Sequence, residues 1–253
     1  MPKLDYLSLV GGQDIILKEF GVVVRQPKVK EISMIGEQEF YRNCYFLLVS
    51  KDTIVEQISA SNPGIDIESI YADVPEYEIV FNTISEIASA KNGMFQIFEL
   101  LFPEYKISIE EIGIFFMKEG AVEPVVVRPE QFELLRDYLK QILCLNPGSR
   151  GEEEYNTESS QAEAIANKLR ARKKKLDSMK EKNKSSNILG NYVSSLGIGS
   201  QSYTIDKVVD LSLFQLFDQI KRFGQWTRYD ISLRAKTAGA KDVDEVNWME
   251  ELE

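Results

Sequence analysis

Catalysis and metal binding need side chains that converge, and the residue types in this chain narrow the choice at once, because none of its 253 residues is histidine. That removes the commonest general base and the commonest zinc ligand, and it excludes Ser-His-Asp, Cys-His and His-metal arrangements. A carboxylate-only or lysine-based enzyme would need a recognisable constellation, and none stands out. Glu110 and Glu111, and the run Glu152, Glu153 and Glu154, are neighbours in sequence, so on a strand or loop they point apart where metal ligands must meet. They read as solvated surface. Gly11 with Gly12, and Gly197 with Gly199, lack the strand-glycine-helix setting of a phosphate-binding loop and read as turns. Cys44 and Cys144 lie in apolar helical patterns far apart in the chain, and read as small buried thiols rather than a disulfide. The expectation is a protein with no catalytic residues, no metal and no cofactor.

The remaining chemistry is that of binding. Both tryptophans of the chain fall in its last thirty residues, at Trp226 and Trp248, in company with Phe214, Phe217, Phe223 and Tyr229. Tryptophan and tyrosine dominate the energetic centres of protein interfaces. A C-terminal unit of some fifty residues makes a small core for so many rings, and such units usually lean on something else. These six aromatics are therefore the candidate partner-binding residues, with packing inside the unit as the competing use.

A second candidate is electrostatic. Residues 168–184 hold nine Lys or Arg against two acids, within a chain whose formal net charge is -10. Such a run gains by releasing counterions from nucleic acid or anionic lipid, but it lacks the interleaved aromatics of a base-stacking surface. It reads as a solvated tether, or as one that docks on the acidic remainder of the protein. The overall negative charge also argues against wrapping nucleic acid. No apolar run approaches the ~20 residues of a membrane span, and the N-terminus lacks the basic-then-apolar order of a secretion signal.

The elements that must position these residues follow from periodicity. A strand at residues 22–25 leads through Gln26 and Pro27 into a helix carrying Val29, Ile32, Met34 and Ile35, which Gly36 stops. A second helical pattern runs from Glu37 through Phe40, Tyr41, Cys44, Phe46, Leu47 and Leu48. Asn62, Pro63 and Gly64 mark a turn. Helices follow over residues 77–90 and 94–102, the latter ended by Pro103. Residues 112–127 read as a β-hairpin turning at Lys118, Glu119 and Gly120, and Arg128 with Pro129 opens a helix through Phe132, Leu135 and Ile142. The order valine run, proline, helix thus occurs twice; a duplication would explain it, but one proline rule at two strand-to-helix junctions is simpler.

Asn146, Pro147 and Gly148 break the pattern. The reading is α+β: a globular domain over 1–147, mixed helical with a small β-hairpin or sheet; a charged and Ser/Gly-rich tether, partly helical, over 148–203; and a C-terminal helical module over 204–253. In that module two amphipathic helices should meet near Gly224 as a hairpin.

The ending Phe217-Asp-Gln-Ile-Lys-Arg-Phe223, then Tyr229-Asp-Ile-Ser-Leu-Arg-Ala-Lys-Thr-Ala-Gly-Ala-Lys-Asp242, then Asn247-Trp-Met249, resembles the C-terminal segments of tail assembly chaperones from tailed phages and prophages of Gram-positive bacteria. The stretch Val24-Arg-Gln-Pro-Lys-Val-Lys-Glu-Ile-Ser-Met-Ile-Gly-Glu37 is similar to an N-terminal pattern of proteins from such phage structural modules. The resemblance implies a non-enzymatic protein of the host cytoplasm that coats the tape-measure protein and recruits tail-tube subunits, with self-association left open. A structural virion protein, such as a neck or baseplate subunit, is the alternative, and a nucleic-acid-binding regulatory protein is a more distant one.

Overall fold

The computed structural model describes residues 3–145, 187–240 and 247–249. The basic run, most of the expected tether, the break at residues 146–148 and the acidic run at 152–154 lie outside them. Over the described residues the fold is α+β: twelve helices and two small antiparallel sheets around one buried apolar cluster.

The chain opens with helix α1 (Tyr6–Val10), whose first turn is capped by Asp5 accepting from the Ser8 amide at 2.7 Å. Strands β1 (Ile15–Leu17) and β2 (Val22–Val24) pair antiparallel. Gly21 (φ 70°) makes the left-handed turn into β2. Helices α2 (Val29–Ile35) and α3 (Glu37–Asn43) are separated by Gly36, where φ is 92°. Helix α4 (Tyr45–Leu48) continues the expected pattern after a break at Cys44. Then come α5 (Lys51–Ser61), α6 (Ile67–Tyr71), α7 (Glu76–Glu86) and α8 (Ala88–Leu101). The α7–α8 break falls at Ile87, so the two helices expected here divide earlier than the sequence pattern implies.

The expected hairpin is β4 (Gly113–Lys118) with β5 (Val125–Val127), and β3 (Tyr105–Glu110) adds a third strand on the other side of β4. Helix α9 (Pro129–Ile142) starts with its proline in the first turn, where a missing N–H costs nothing. Its apolar stripe, Phe132, Leu135, Leu139 and Ile142, is fully buried. Arg136 lies in the same face and is buried too, held by Glu133 and by the carbonyls of Leu47 (3.1 Å) and Val49. Its guanidinium thus satisfies the carbonyls that end α4, as a buried charge must.

After the undescribed segment the chain forms α10 (Ile188–Gly199), α11 (Ile205–Val209) and α12 (Leu213–Thr237). Helix α10 lies within the stretch read as tether. Leu189, Leu196, Val208, Leu213 and Leu216 join the same apolar cluster as the N-terminal residues, so this part of the chain does not stand clear of the body. Helices α10 and α12 pack on each other. The join expected near Gly224 is instead continuous helix. One glycine costs a helix only about 1 kcal/mol, and turns already anchored on the body remove the nucleation penalty for the turns that follow.

Polar contacts fasten the C-terminal part to the body. Residues 28 and 212 form an antiparallel bridge, with Val29 N–H donating to Leu211 O (3.0 Å) and Leu213 N–H to Pro27 O (2.9 Å). The buried Gln26 amide donates to Ser8 O and Gln13 O and accepts from Ser212 Oγ at 3.0 Å. Glu37 accepts from the amides of Ile188 (2.8 Å) and Leu189 (3.1 Å), capping α10 from a distant part of the chain where a carboxylate also suits the helix dipole.

Candidate functional site

Helix α12 is 25 residues long, about 37 Å at 1.5 Å per residue. It begins with a capping box: Ser212 Oγ accepts from the Gln215 amide, and Gln215 Oε1 accepts from the Ser212 amide. The Gln215 side chain also donates to Val10 O at 2.8 Å, tying the helix start to the end of α1. One turn on, the buried Asp218 accepts from the Tyr6 hydroxyl at 2.6 Å, and Arg222 donates to that same oxygen at 3.2 Å. Burial first, then the bond to Asp218, pushes the Tyr6 hydroxyl above its ordinary value. It remains a donor at any physiological pH.

The six aromatics expected to bind a partner divide into two groups. Phe214, Phe217 and Phe223 are half-buried and pack on the protein's own core. Phe214 meets Tyr6 edge-on at 6.1 Å, and Phe217 meets Tyr192 of α10 edge-on at 5.5 Å. Phe223 lies against Gly199, where a Cβ would collide with its ring. Gly197 likewise leaves room for Ile205, whose Cγ1 is 2.8 Å from where its Cβ would be. Both glycines sit in α10, so the turn reading is corrected: they are small because α11 and α12 pack close.

Trp226, Tyr229 and Trp248 form the second group. Trp226 is tilted against Tyr229 at 5.6 Å and meets Trp248 edge-on at 5.0 Å. Arg222 reaches the Trp248 carbonyl at 3.4 Å, which seats residues 247–249 on this face. Trp226 is nevertheless 47% exposed, and Leu233 on the same face is 47% exposed. Residues 222, 226, 229 and 233 recur at spacings of four, three and four, one face of a helix.

A second face was missed. The stripe that buries Leu213, Leu216 and Ile220 runs on at helical spacing through Gly224, Thr227, Ile231 and Ala235, and Ile231 is 60% exposed. The signal was in the sequence: the helical phase continues unbroken through Gly224, and reading a helix end there hid it. From residue 224 onward the helix thus presents exposed apolar side chains on two sides. Its end is a left-handed cap at Gly239 (φ 92°), with Ala240 N–H donating to Ala235 O and Gly239 N–H to Lys236 O.

Burial raises the Cys44 thiol, and the Cys144 thiol is pushed up to about 12, chiefly by burial, so both are protonated and unreactive at neutral pH. Cys144 is not helical but takes the left-handed residue that closes α9 (φ 52°), where the Leu145 amide donates to Lys140 O. The described residues include an open cleft lined by Asn82, Ser85, Glu86, Lys91, Glu110 and Glu111 and another lined by residues around Glu37 and Arg42. Among the described residues no group of three acids or cysteines is placed to hold a metal ion. Nor is any helix among them long and apolar enough to cross a membrane.

Residues 180–253 match the family model of the YomV second domain. YomV is a protein of a Bacillus phage region, so the C-terminal part of this chain is similar to a phage-related domain. The matched span takes in α10, α11, α12 and the Trp248 segment. No curated protein and no solved structure matches the chain.

Proposed function

We propose that the protein is a non-enzymatic assembly factor of a tailed phage or prophage, a tail assembly chaperone that works in the host cytoplasm. The observation that carries this reading is the far half of α12, an ordered helix that holds Trp226, Ile231 and Leu233 exposed. A helix with apolar residues on two sides is suited to lie along another helix, burying anchors at i, i+3, i+4 and i+7. The tape-measure protein, a long helical client prone to aggregate before the tail tube encloses it, is the partner that the family resemblance implies. Tail-tube subunits would be the second. The similarity of residues 180–253 to a phage-region domain supports the setting.

The test is co-expression of the whole chain with a helical fragment of a tape-measure protein from a tailed phage of a Gram-positive bacterium. Co-elution of the two, with the fragment kept soluble, is the expected result, and Trp226→Ala with Leu233→Ala should abolish it. Separate elution, or co-elution indifferent to both substitutions, would sink the reading. A stoichiometric amount of the protein in purified particles would make it a structural virion subunit instead.

A further inference from the structure

The two antiparallel sheets leave one long free edge. Strands β1, β2 and β5 run three residues each and make poor templates, whereas β3 is six residues long and ends its sheet. Glu110 and Gly113 face each other across a two-residue turn, so they exchange both ladder bonds, and the alternation makes Ser108 and Lys106 the other bonded residues of β3. The N–H and C=O of Ile107 and Ile109 therefore point away from β4. Among the described residues no hydrogen bond takes them. Ile109 is only 4% exposed, so its outward amide and carbonyl are nearly withdrawn from water without a partner, a state that buried backbone seldom tolerates.

A cleft of about 480 Å³ opens at this place, lined on one side by the far end of β3 with Glu111, and on the other by Asn82, Ser85 and Glu86 of α7 and Lys91 of α8. No residue of β4 lines it, which puts it on the free side of β3. Its charge is three carboxylates, Glu86, Glu110 and Glu111, against the one ammonium of Lys91. None of the three is ion-paired among the described residues. We propose that this edge and cleft are a docking site for an extended basic segment of another protein, which adds to the sheet as a strand beside β3. Its backbone supplies the acceptors and donors that Ile107 and Ile109 lack, and its lysine or arginine side chains meet the three carboxylates. A helix cannot do this, because its own N–H and C=O groups are already used within it. An acidic strand fits the edge but is repelled by the walls. The site shares no residue with α12, so it is a second contact surface and stands whether or not that helix holds a client.

The test uses the whole chain and a short fluorescein-labelled peptide of alternating lysine and valine, with binding read by anisotropy and amide exchange followed residue by residue. Binding should slow exchange at the Ile107 and Ile109 amides, which no bond protects in the free protein, and leave Lys106, Ser108 and Glu110, already in the ladder, unchanged. Replacing all three carboxylates together, Glu86→Gln, Glu110→Gln and Glu111→Gln, should weaken the peptide roughly 10-fold. The three are exposed, so melting should not change. Methylating the amides of the lysines alone, or of the valines alone, should abolish binding in one case and spare it in the other, because only one edge of the peptide faces β3. No binding, or equal binding by a glutamate-valine peptide, overturns the proposal. So does binding that ignores the three substitutions or both methylations, or that leaves exchange at Ile107 and Ile109 fast. A dimer that protects those two amides without peptide would overturn it by giving the edge to a second copy. Peptide binding seen only after the cations of residues 168–184 are replaced by glutamine would do the same, by giving it to the chain's own basic run.

Discussion

The two halves of α12 share one helical phase and have opposite circumstances. Residues 213–223 point Leu213, Leu216, Phe217 and Ile220 into a core built by the N-terminal part, with Phe223 closed over Gly199. Residues 224–237 carry the same helical phase into solvent, with Ile231, Leu233 and Trp226 exposed. The difference teaches that an amphipathic stripe specifies that something will be covered without specifying by what. In the first half the cover is the chain itself. In the second it is three residues of tail and, on the reading above, a client.

The largest effect should come from removing the shared core altogether. A chain ending near residue 148 loses Leu189, Leu196, Val208, Leu213 and Leu216 from the buried cluster. At 1.5 kcal/mol or more for each large apolar side chain, roughly 7 kcal/mol or more is lost, or about 15 °C or more in melting temperature. Melting as stable as the whole chain would mean that the C-terminal part merely rests on the surface.

Point substitutions sharpen the contrast within the helix. Leu216→Ala, at a position with no exposure, should cost about 2–5 kcal/mol of global stability by denaturant titration. Trp226→Ala should cost less than about 1 kcal/mol by the same measurement while weakening client association by roughly 2 kcal/mol, as for an interface anchor. Equal stability losses at the two sites would erase the distinction between docked and free halves.

The same substitution should even change sign along the structure. Gly199→Ala places a methyl group in the Phe223 ring and should destabilise by about 1–3 kcal/mol. Gly224→Ala meets nothing within 4 Å and replaces a glycine inside a helix, so it should stabilise by roughly 0.5–1 kcal/mol. Circular dichroism melts of the two variants decide this, and a loss at both would place Gly224 at a packed contact.

The smallest effect concerns the surface pair Lys30 and Asp210, 2.6 Å apart, which joins α2 to the turn before α12. The hydrogen bond from Lys30, then its charge, holds the Asp210 carboxyl below its ordinary value of 3.8. A lowered carboxylate contributes stability above the unfolded value and loses it as pH falls through the folded one. Asp210→Asn should therefore give a slightly less stable protein at neutral pH, with the gap closing below about pH 4 and in high salt. A gap that widens in acid would contradict the pairing.

Much of the body was legible in the chain. Val22 to Val24 ahead of a proline, the hairpin around Gly120, and α9 opening on Pro129 all follow from local rules that tertiary context left intact. Strand β3 was not legible: its alternation Tyr105, Ile107, Ile109 is short and flanked by charge, and only pairing with β4 makes it a strand. Helix α10 falls in a stretch read as a partly helical tether because of its Ser, Asn and Gly residues, yet its last two glycines have another role. They are there to admit Ile205 and Phe223, a reason that lies in another part of the chain.

What the residues alone determined is chemical class and local form: no imidazole chemistry, an α+β body, and a C-terminal end of helices rich in aromatic rings. Local form needs only neighbours within a turn or a strand pair, and those neighbours are written in order. What the tertiary structure decided is which apolar faces find cover. Phe214, Phe217 and Phe223 are taken up by the body while Trp226, Tyr229 and Trp248 are left to one another, although all six look alike in sequence. Burial depends on surfaces brought from far along the chain, here α1, α2 and α10, and no spacing within α12 records where those surfaces end.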